Sequence, residues 1–228
     1  MKNVAIVTAG GVGLRFSGEV KKQFLEIKGK PLLVWTIEKF INHPDIDSIV
    51  VTAPEDSVNH TGALLKTHFP NTDMKVIVGG VTRQDSVYNA LASLDIETDI
   101  VLIHDGVRPL ITSTEISLLI KMAEEYRAVI PAHKVKNTIK VVEDDKVVKT
   151  VDRDKLYEVY TPQVFAYPLI LDCHKKAKED SVIFTDDAAI LEHYGHPVHI
   201  VETSPYNIKL TERVDFEVME LLIESNNY

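Results

Sequence analysis

Residues 9–23 read AGGVGLRFSGEVKKQ. Gly10, Gly11 and Gly13 have no Cβ, so a turn built on them can bring backbone N–H groups close to an anion. Arg15 can pair bidentately with phosphate oxygens, and Lys21 or Lys22 adds a point charge a few residues on. A backbone cradle followed by cations suits a polyphosphate, and the loop is expected to hold a nucleoside triphosphate. A tight turn and a solvated lysine pair explain the same letters separately, and that pairing is expected for one of the two lysines. The loop is not a P-loop, because GxxxxGK[ST] is missing. It also fails the dinucleotide pattern, since Phe16 and Ser17 stand where the third glycine would be.

Further along, an apolar run at 100–103 leads into His104-Asp105-Gly106-Val107-Arg108-Pro109. A carboxylate at a strand end in a nucleotide site is a natural Mg²⁺ ligand, because Mg²⁺ takes oxygen ligands and often uses one or two carboxylates plus phosphates. The competing role for Asp105 is a turn cap. His104 reads as a packed or hydrogen-bonded histidine, and Arg108 can bind a second anion. Gly80, Arg83 and Ser86 lie in a turn entering a helix, where backbone N–H groups can meet anions and polar groups; Ser86 alone would also serve as a cap. Asn207-Ile208-Lys209 places one cation between polar residues and, by itself, reads as an exposed lysine.

These residues need elements to hold them. Strands are expected at 3–8, 46–53, 75–78, 100–103 and 128–132, and helices at 31–42, 56–68, from 86 to about 94, and at 114–127. The alternation argues for a mostly parallel sheet covered on both faces. Loops at the carboxyl ends of its strands would form the site, and the glycine loop, Gly79-Gly80 and His104-Asp105 all fall at such ends. The pattern breaks at 138–151, which reads as a β-hairpin with a charged turn at 143–146. With so little apolar surface it is marginal alone and is expected to lie against something, such as a second subunit. Strand character returns at 162–167, 199–202 and 208–210, with helices at 168–178, 185–194 and 211–225, the last capped by Thr211. The reading is one domain over residues 1–228 with an inserted arm at about 137–154.

The 228 residues suffice for one large α/β domain with a full core. Hydrophobic residues at 45% and charged residues at 26% are ordinary for a soluble globular protein. A net charge of −9 argues against a general nucleic-acid binder. The single cysteine, Cys173, excludes an internal disulfide and a cysteine-based zinc site. It reads as a helix packing residue and fits a reducing cytoplasm. No apolar run approaches the ~20 residues of a membrane span, so no membrane partner is expected, nor is a signal peptide.

AGGVGLRF with KKQF, GGVTRQDSV, HDGVRP, TVDR, TPQ, TDD and NIK, in this order, resemble the cytidylyltransferases of the isoprenoid pathway from about residue 3 to about 220. The resemblance implies a Rossmann-like nucleotidyltransferase fold of glycosyltransferase-A type, with a projecting β-arm and a homodimer. It implies that Ala9, Gly10, Gly11, Gly13, Arg15 and Lys22 bind CTP; that Gly80, Arg83, Ser86 and Gly106 complete the nucleotide site; and that Asp105 binds Mg²⁺. Arg108, Thr138, Arg153 and Thr161 would meet a polyol phosphate, some of them from the partner's arm. Arg15, Lys22 and Lys209 would be catalytic. The implied reaction is attack of the polyol phosphate on the α-phosphorus of CTP, with pyrophosphate leaving. Ribitol-5-phosphate cytidylyltransferases share most of these motifs, but TVDR at 150–153 is more like the methylerythritol branch. Lys21 replaces a usual proline, Asn137 an aspartate and Gly106 an alanine; Gln23 and Phe24 set the register in favour of Lys22. A nicotinamide-dependent oxidoreductase and a non-catalytic nucleotide sensor are the rivals from other classes. The missing third glycine and the cations count against the first, and the intact Lys22, Asp105 and Lys209 against the second.

Overall fold

The computed structural model describes residues 1–10, 21–72 and 74–225. Gly11, Gly13 and Arg15 of the glycine loop lie outside the described residues. In chain order, β1 (Asn3–Thr8) is followed by a short 3-10 turn at Lys22–Phe24, the two-residue strands β2 (Glu26–Ile27) and β3 (Lys30–Pro31), α1 (Leu32–Ile41), β4 (Ser48–Ala53), α2 (Val58–His68), β5 (Lys75–Val78), α3 (Arg83–Ala92) and β6 (Ile100–Asp105). Then come α4 (Ser113–Tyr126), β7 (Ala128–Lys134), the hairpin β8 (Lys140–Glu143) and β9 (Lys146–Thr150), β10 (Tyr157–Val159), β11 (Gln163–Ala166), α5 (Tyr167–Glu179), α6 (Asp187–His193), β12 (His199–Glu202) and α7 (Arg213–Ser225).

The main sheet runs β7-β11-β6-β1-β4-β5, with β12 also on β7. Strands β6, β1, β4 and β5 are mutually parallel, β12 is parallel to β7, and β11 is antiparallel to both β6 and β7. Strand β10 continues along β7 antiparallel, two residues out of step with β11. The offset falls at Tyr160-Thr161-Pro162, where the Thr161–Pro162 peptide is cis.

Alternation along the strands separates two cores. Ala5, Val7, Ile49, Val51, Ile100 and Leu102 face α1, α2 and α4. Val4, Ile6, Val50, Val101 and Ile103 face α3, α5 and α6, with Cys173 packed among them as expected. A third cluster, including Ile27, Leu32, Leu110, Leu210, Met219 and Ile223, holds α7 against β2, the start of α1 and the segment after β6. The chain leaves β1 through α1 on one face, lays down β4 and β5, and returns through α3 on the other face to β6. Strand order therefore reverses at the β1/β6 boundary, and the crevice beyond their carboxyl ends is the expected ligand position in an open α/β sheet.

Several expected boundaries move. Helix α3 starts at Arg83 because Thr82 is its cap: the Thr82 hydroxyl accepts from Asp85 N–H while the Asp85 carboxylate accepts from Thr82 N–H, a capping box. Ser86 is thus a helix interior residue. Strand β6 runs on to Asp105. Residues 208–210 form no strand, and α7 starts at Arg213. The Asp215 carboxylate accepts from the backbone N–H of Thr211 and Glu212, whereas the Thr211 hydroxyl donates to Lys209 O. The hairpin turn is tighter than 143–146: Asp144 (φ 46°) and Asp145 (φ 61°) form a two-residue left-handed turn, which matches the twist of the flanking strands. Among the described residues no helix is long and apolar enough to cross a membrane.

Candidate active site

β1 and β6 are in register so that Thr8 lies beside Asp105. Ala9 and Gly10 leave β1 while the chain turns sharply at Gly106, whose N–H donates to Thr8 O. A Cβ on Gly106 would stand 3.0 Å from Leu33 Cδ1 and from Thr8 O, so glycine relaxes a crowded turn here. Gly80 follows β5, and a Cβ there would overlap the Asp85 side chain. The Gly80 N–H donates to Ser86 Oγ, which itself donates to Thr82 O. Between these strand ends lies a cavity of about 370 Å³, lined among others by Ala9, Gly10, Lys22, Gly80, Arg83, Ser86, Asp105 and Lys209.

Asp105 is the hub. Its Oδ2 is 3.0 Å from Lys209 Nζ and 3.1 Å from Arg108 Nε, and its Oδ1 is 3.4 Å from Arg83 Nε. Burial would push its carboxyl up, but Arg83, Lys209 and Arg108 outweigh burial and hold it well below the usual carboxylate range. Asp105 is therefore an anion here and accepts charge-assisted bonds.

Behind it, His104 and Thr161 form a fully used chain. The Asp105 N–H donates to Thr161 Oγ1 at 3.1 Å, the Thr161 hydroxyl lies 3.0 Å from His104 Nδ1, and His104 Nε2 lies 3.0 Å from Arg108 O. A carbonyl only accepts, so Nε2 carries the proton and Nδ1 accepts from Thr161. Burial pushes His104 down to about 4, which keeps this neutral tautomer. His104 is thus the hydrogen-bonded core histidine expected. Thr161 lines neither cavity of the site; its hydroxyl is spent on Asp105 and His104.

Lys209 arrives on a clamped segment. Asn207 Nδ2 donates to Thr161 O at 2.6 Å, Arg108 Nη1 donates to Asn207 O at 2.8 Å, and Leu210 N–H donates to Val107 O. Lys22 Nζ donates to Thr211 O at 2.6 Å and Leu210 O at 3.3 Å. Lys21 instead pairs with Asp56 at 2.6 Å on the surface. Lys22 thus lines the cavity, while Lys21 is taken up in a surface pair.

A second, open cavity of about 440 Å³ adjoins the first, and Lys209 and Thr211 line both. Arg108 lines the second together with Tyr160 and Ile208. Lys209, which read as uninformative within its own segment, thus stands where the two cavities meet. Thr138 and Arg153 line neither cavity; both are exposed on the hairpin side, and Arg153 Nη1 donates to Lys136 O at 2.8 Å. Sequence reasoning left out two supporting residues. Asp187, the last residue of TDD, hid behind Asp186, the actual cap of α6. Asn207, two residues before Lys209 in NIK, drew no role.

The family model described as IspD, 2-C-methyl-D-erythritol 4-phosphate cytidylyltransferase, matches residues 3–225. The chain belongs to the IspD family. It is 42% identical over 226 residues to the 2-C-methyl-D-erythritol 4-phosphate cytidylyltransferase of Clostridium novyi, covering 98% of this chain and 97% of the relative. It matches that of Desulforamulus reducens equally well. Its fold superposes on the 4-diphosphocytidyl-2C-methyl-D-erythritol synthase of Anaerococcus prevotii with a TM-score of 0.86 at 29% identity, over 98% of both chains. The IspD structure from Francisella tularensis gives 0.82 at 30%, over 97% of this chain and 99% of that one. The mostly parallel sheet with helices on both faces is thus the nucleotidyltransferase-like architecture of IspD structures.

Proposed function

We propose that this chain is a CTP-dependent cytidylyltransferase of isoprenoid precursor synthesis. It transfers the cytidylyl group of CTP to 2-C-methyl-D-erythritol 4-phosphate, giving 4-diphosphocytidyl-2-C-methyl-D-erythritol and pyrophosphate. The observation that carries the reading is the position of Lys209 between a nucleotide-sized cavity and an adjoining one beside Arg108. A phosphate oxygen of the acceptor attacks the α-phosphorus of CTP, the α–β bridging P–O bond breaks, and its electrons leave with pyrophosphate. Charge grows on the α-phosphoryl oxygens and the leaving group, so fixed cations and in-line positioning carry the catalysis. Lys22 and Lys209 flank the α-phosphate, Arg108 draws the acceptor phosphate, and the role of a cation for the leaving pyrophosphate falls to Arg15 on the family resemblance alone.

Asp105 is the carboxylate that fits a Mg²⁺ carried in by the nucleotide. It is ionised and at the cavity wall, and no group of three or more acidic, histidine or cysteine side chains suited to a metal occurs among the described residues. Phosphate oxygens and water would have to supply the remaining ligands, as is usual for Mg²⁺. Bound there, the ion would neutralise phosphate charge. The chain works as a homodimer in which the arm brings Thr138 and Arg153 to the neighbour's acceptor cavity. Their exposure and their absence from both cavities of their own chain support this.

The test is product formation. Purified protein with CTP, Mg²⁺ and methylerythritol phosphate is expected to release pyrophosphate and yield the cytidylyl ester by mass spectrometry. Transfer to ribitol 5-phosphate instead would reassign the acceptor, and transfer to neither would overturn the reading.

A further inference from the structure

Arg83 reaches two carboxylates at once. Its Nε lies 3.4 Å from Asp105 Oδ1, while its Nη1 donates to Asp187 Oδ2 at 2.8 Å. Asp105 belongs to the transfer centre. Asp187 lines neither cavity and is 1% exposed. A carboxylate placed that deep is costly unless paired; Arg83 pairs with this one, and Gln163 fixes the backbone that carries it. Gln163 Oε1 accepts from the backbone N–H of Asp187 and Ala188 at 3.1 and 3.0 Å, and Gln163 Nε2 donates to Asp186 Oδ2 at 2.7 Å. The buried His174 ring closes the back, with Nε2 3.4 Å from Asp187 Oδ1. A strand end thus fixes the start of α6, and His174 stands behind the carboxylate, whose contact with the transfer site passes through Arg83. Burial would push the Asp187 carboxyl up, but Arg83 and His174 outweigh burial and keep it ionised.

We propose that Asp187 is a positioning residue for nucleotide recognition: it holds the Arg83 guanidinium in the wall of the nucleotide cavity and keeps it from closing onto Asp105. The shorter of the two contacts is the one to Asp187. Without that charge the guanidinium loses its shorter tether, and Asp105 alone draws it out of its present place in the wall. A lysine at 83 has a single ammonium and cannot span both carboxylates as a planar fork does. The proposal rests on the cytidylyltransferase reading for the identity of the nucleotide.

The test is a double-mutant cycle on CTP affinity, measured by calorimetry and checked against kinetic constants. Asp187→Asn is expected to weaken CTP about tenfold, the size of one charge-assisted hydrogen bond, and to leave KM for the acceptor unchanged. In an Arg83→Gln background the same substitution is expected to add nothing further. An unchanged CTP affinity in Asp187→Asn, or equal losses with and without Arg83, would overturn the proposal. Should Asp187→Asn fail to fold, Arg83→Lys carries the test: it is expected to show the same tenfold loss, and wild-type affinity would sink the bridge. A wild-type protein that binds CTP but transfers it to neither acceptor contradicts the acceptor assignment and leaves the cycle readable; one that binds no CTP contradicts both.

Discussion

In the Asp105 cluster, Arg83, Arg108 and Asp187 are buried or half-buried, Lys209 reaches in from the surface, and each has an oppositely charged partner within 3.4 Å. Along the β8–β9 hairpin, β9 is exposed over its whole length, and Val142, Val147 and Val148 stand more than half exposed. The first region spends its polar groups inward on one another, so its geometry is set within one chain. The second presents valines and Arg153 to the outside, which suits a surface that meets a partner. On the proposed function, the described part of one chain carries the transfer centre, and the arm serves the acceptor cavity of a neighbour.

Several perturbations separate the two regions. The largest effect is expected at the cations. Lys22→Ala and Lys209→Ala should each lower kcat by about 10²–10³, the loss seen when a preorganised donor to developing charge is removed, with little change in melting temperature for Lys209, whose side chain is 43% exposed. Lys21→Ala should leave turnover near wild type, because that lysine serves a surface pair; a large loss there with none at Lys22 would reverse the assignment. Asp105→Asn should cost about 3 kcal/mol of stability in denaturant titration, since it strips a buried carboxylate from three cations.

Acid should damage the cluster through His104. Its ordinary value of 6.5 falls to about 4 in the fold because of burial, so the unfolded chain takes up more protons between those values. Stability is then complete above about pH 6.5 and declines as the pH falls towards about 4, by about 3 kcal/mol in total. Denaturant midpoints across pH 4–7 measure this, and His104→Gln should flatten the slope. A smaller effect is expected on the arm: Arg153→Ala should raise KM for the acceptor about tenfold, one charge-assisted contact, and leave CTP affinity unchanged.

Much of this was legible in the chain. Alternating apolar runs gave the sheet, and β5 and β12 fall at the expected residues. Strand ends at Gly80 and Asp105 were visible because glycine and polar residues interrupt apolar runs there. What stayed hidden was pairing at a distance. Nothing local to 207–210 says that Asn207 is bonded to Thr161, or that Lys209 ends on Asp105 about a hundred residues away in sequence; the segment even read as a strand. The Thr82–Asp85 capping box was written in the sequence, but Ser86 offered a second, later cap. The role of Asp187 was masked because its neighbour satisfied the usual requirement for an acidic residue at a helix start.

The central claim, a transfer centre complete in one chain and an acceptor site completed by the arm of the other, can be tested by mixing two crippled variants. Lys209→Ala and Arg153→Ala homodimers, unfolded together and refolded at equal ratio, give hybrids in which one of the two sites joins an intact Lys209 to an intact partner arm. Assayed with the acceptor well below its KM, where the Arg153→Ala defect is expressed, transfer activity should recover to about a quarter of wild type, as random pairing makes half the dimers hybrid. Recovery no greater than the sum of the two variants alone would contradict the account and confine the arm's residues to their own chain.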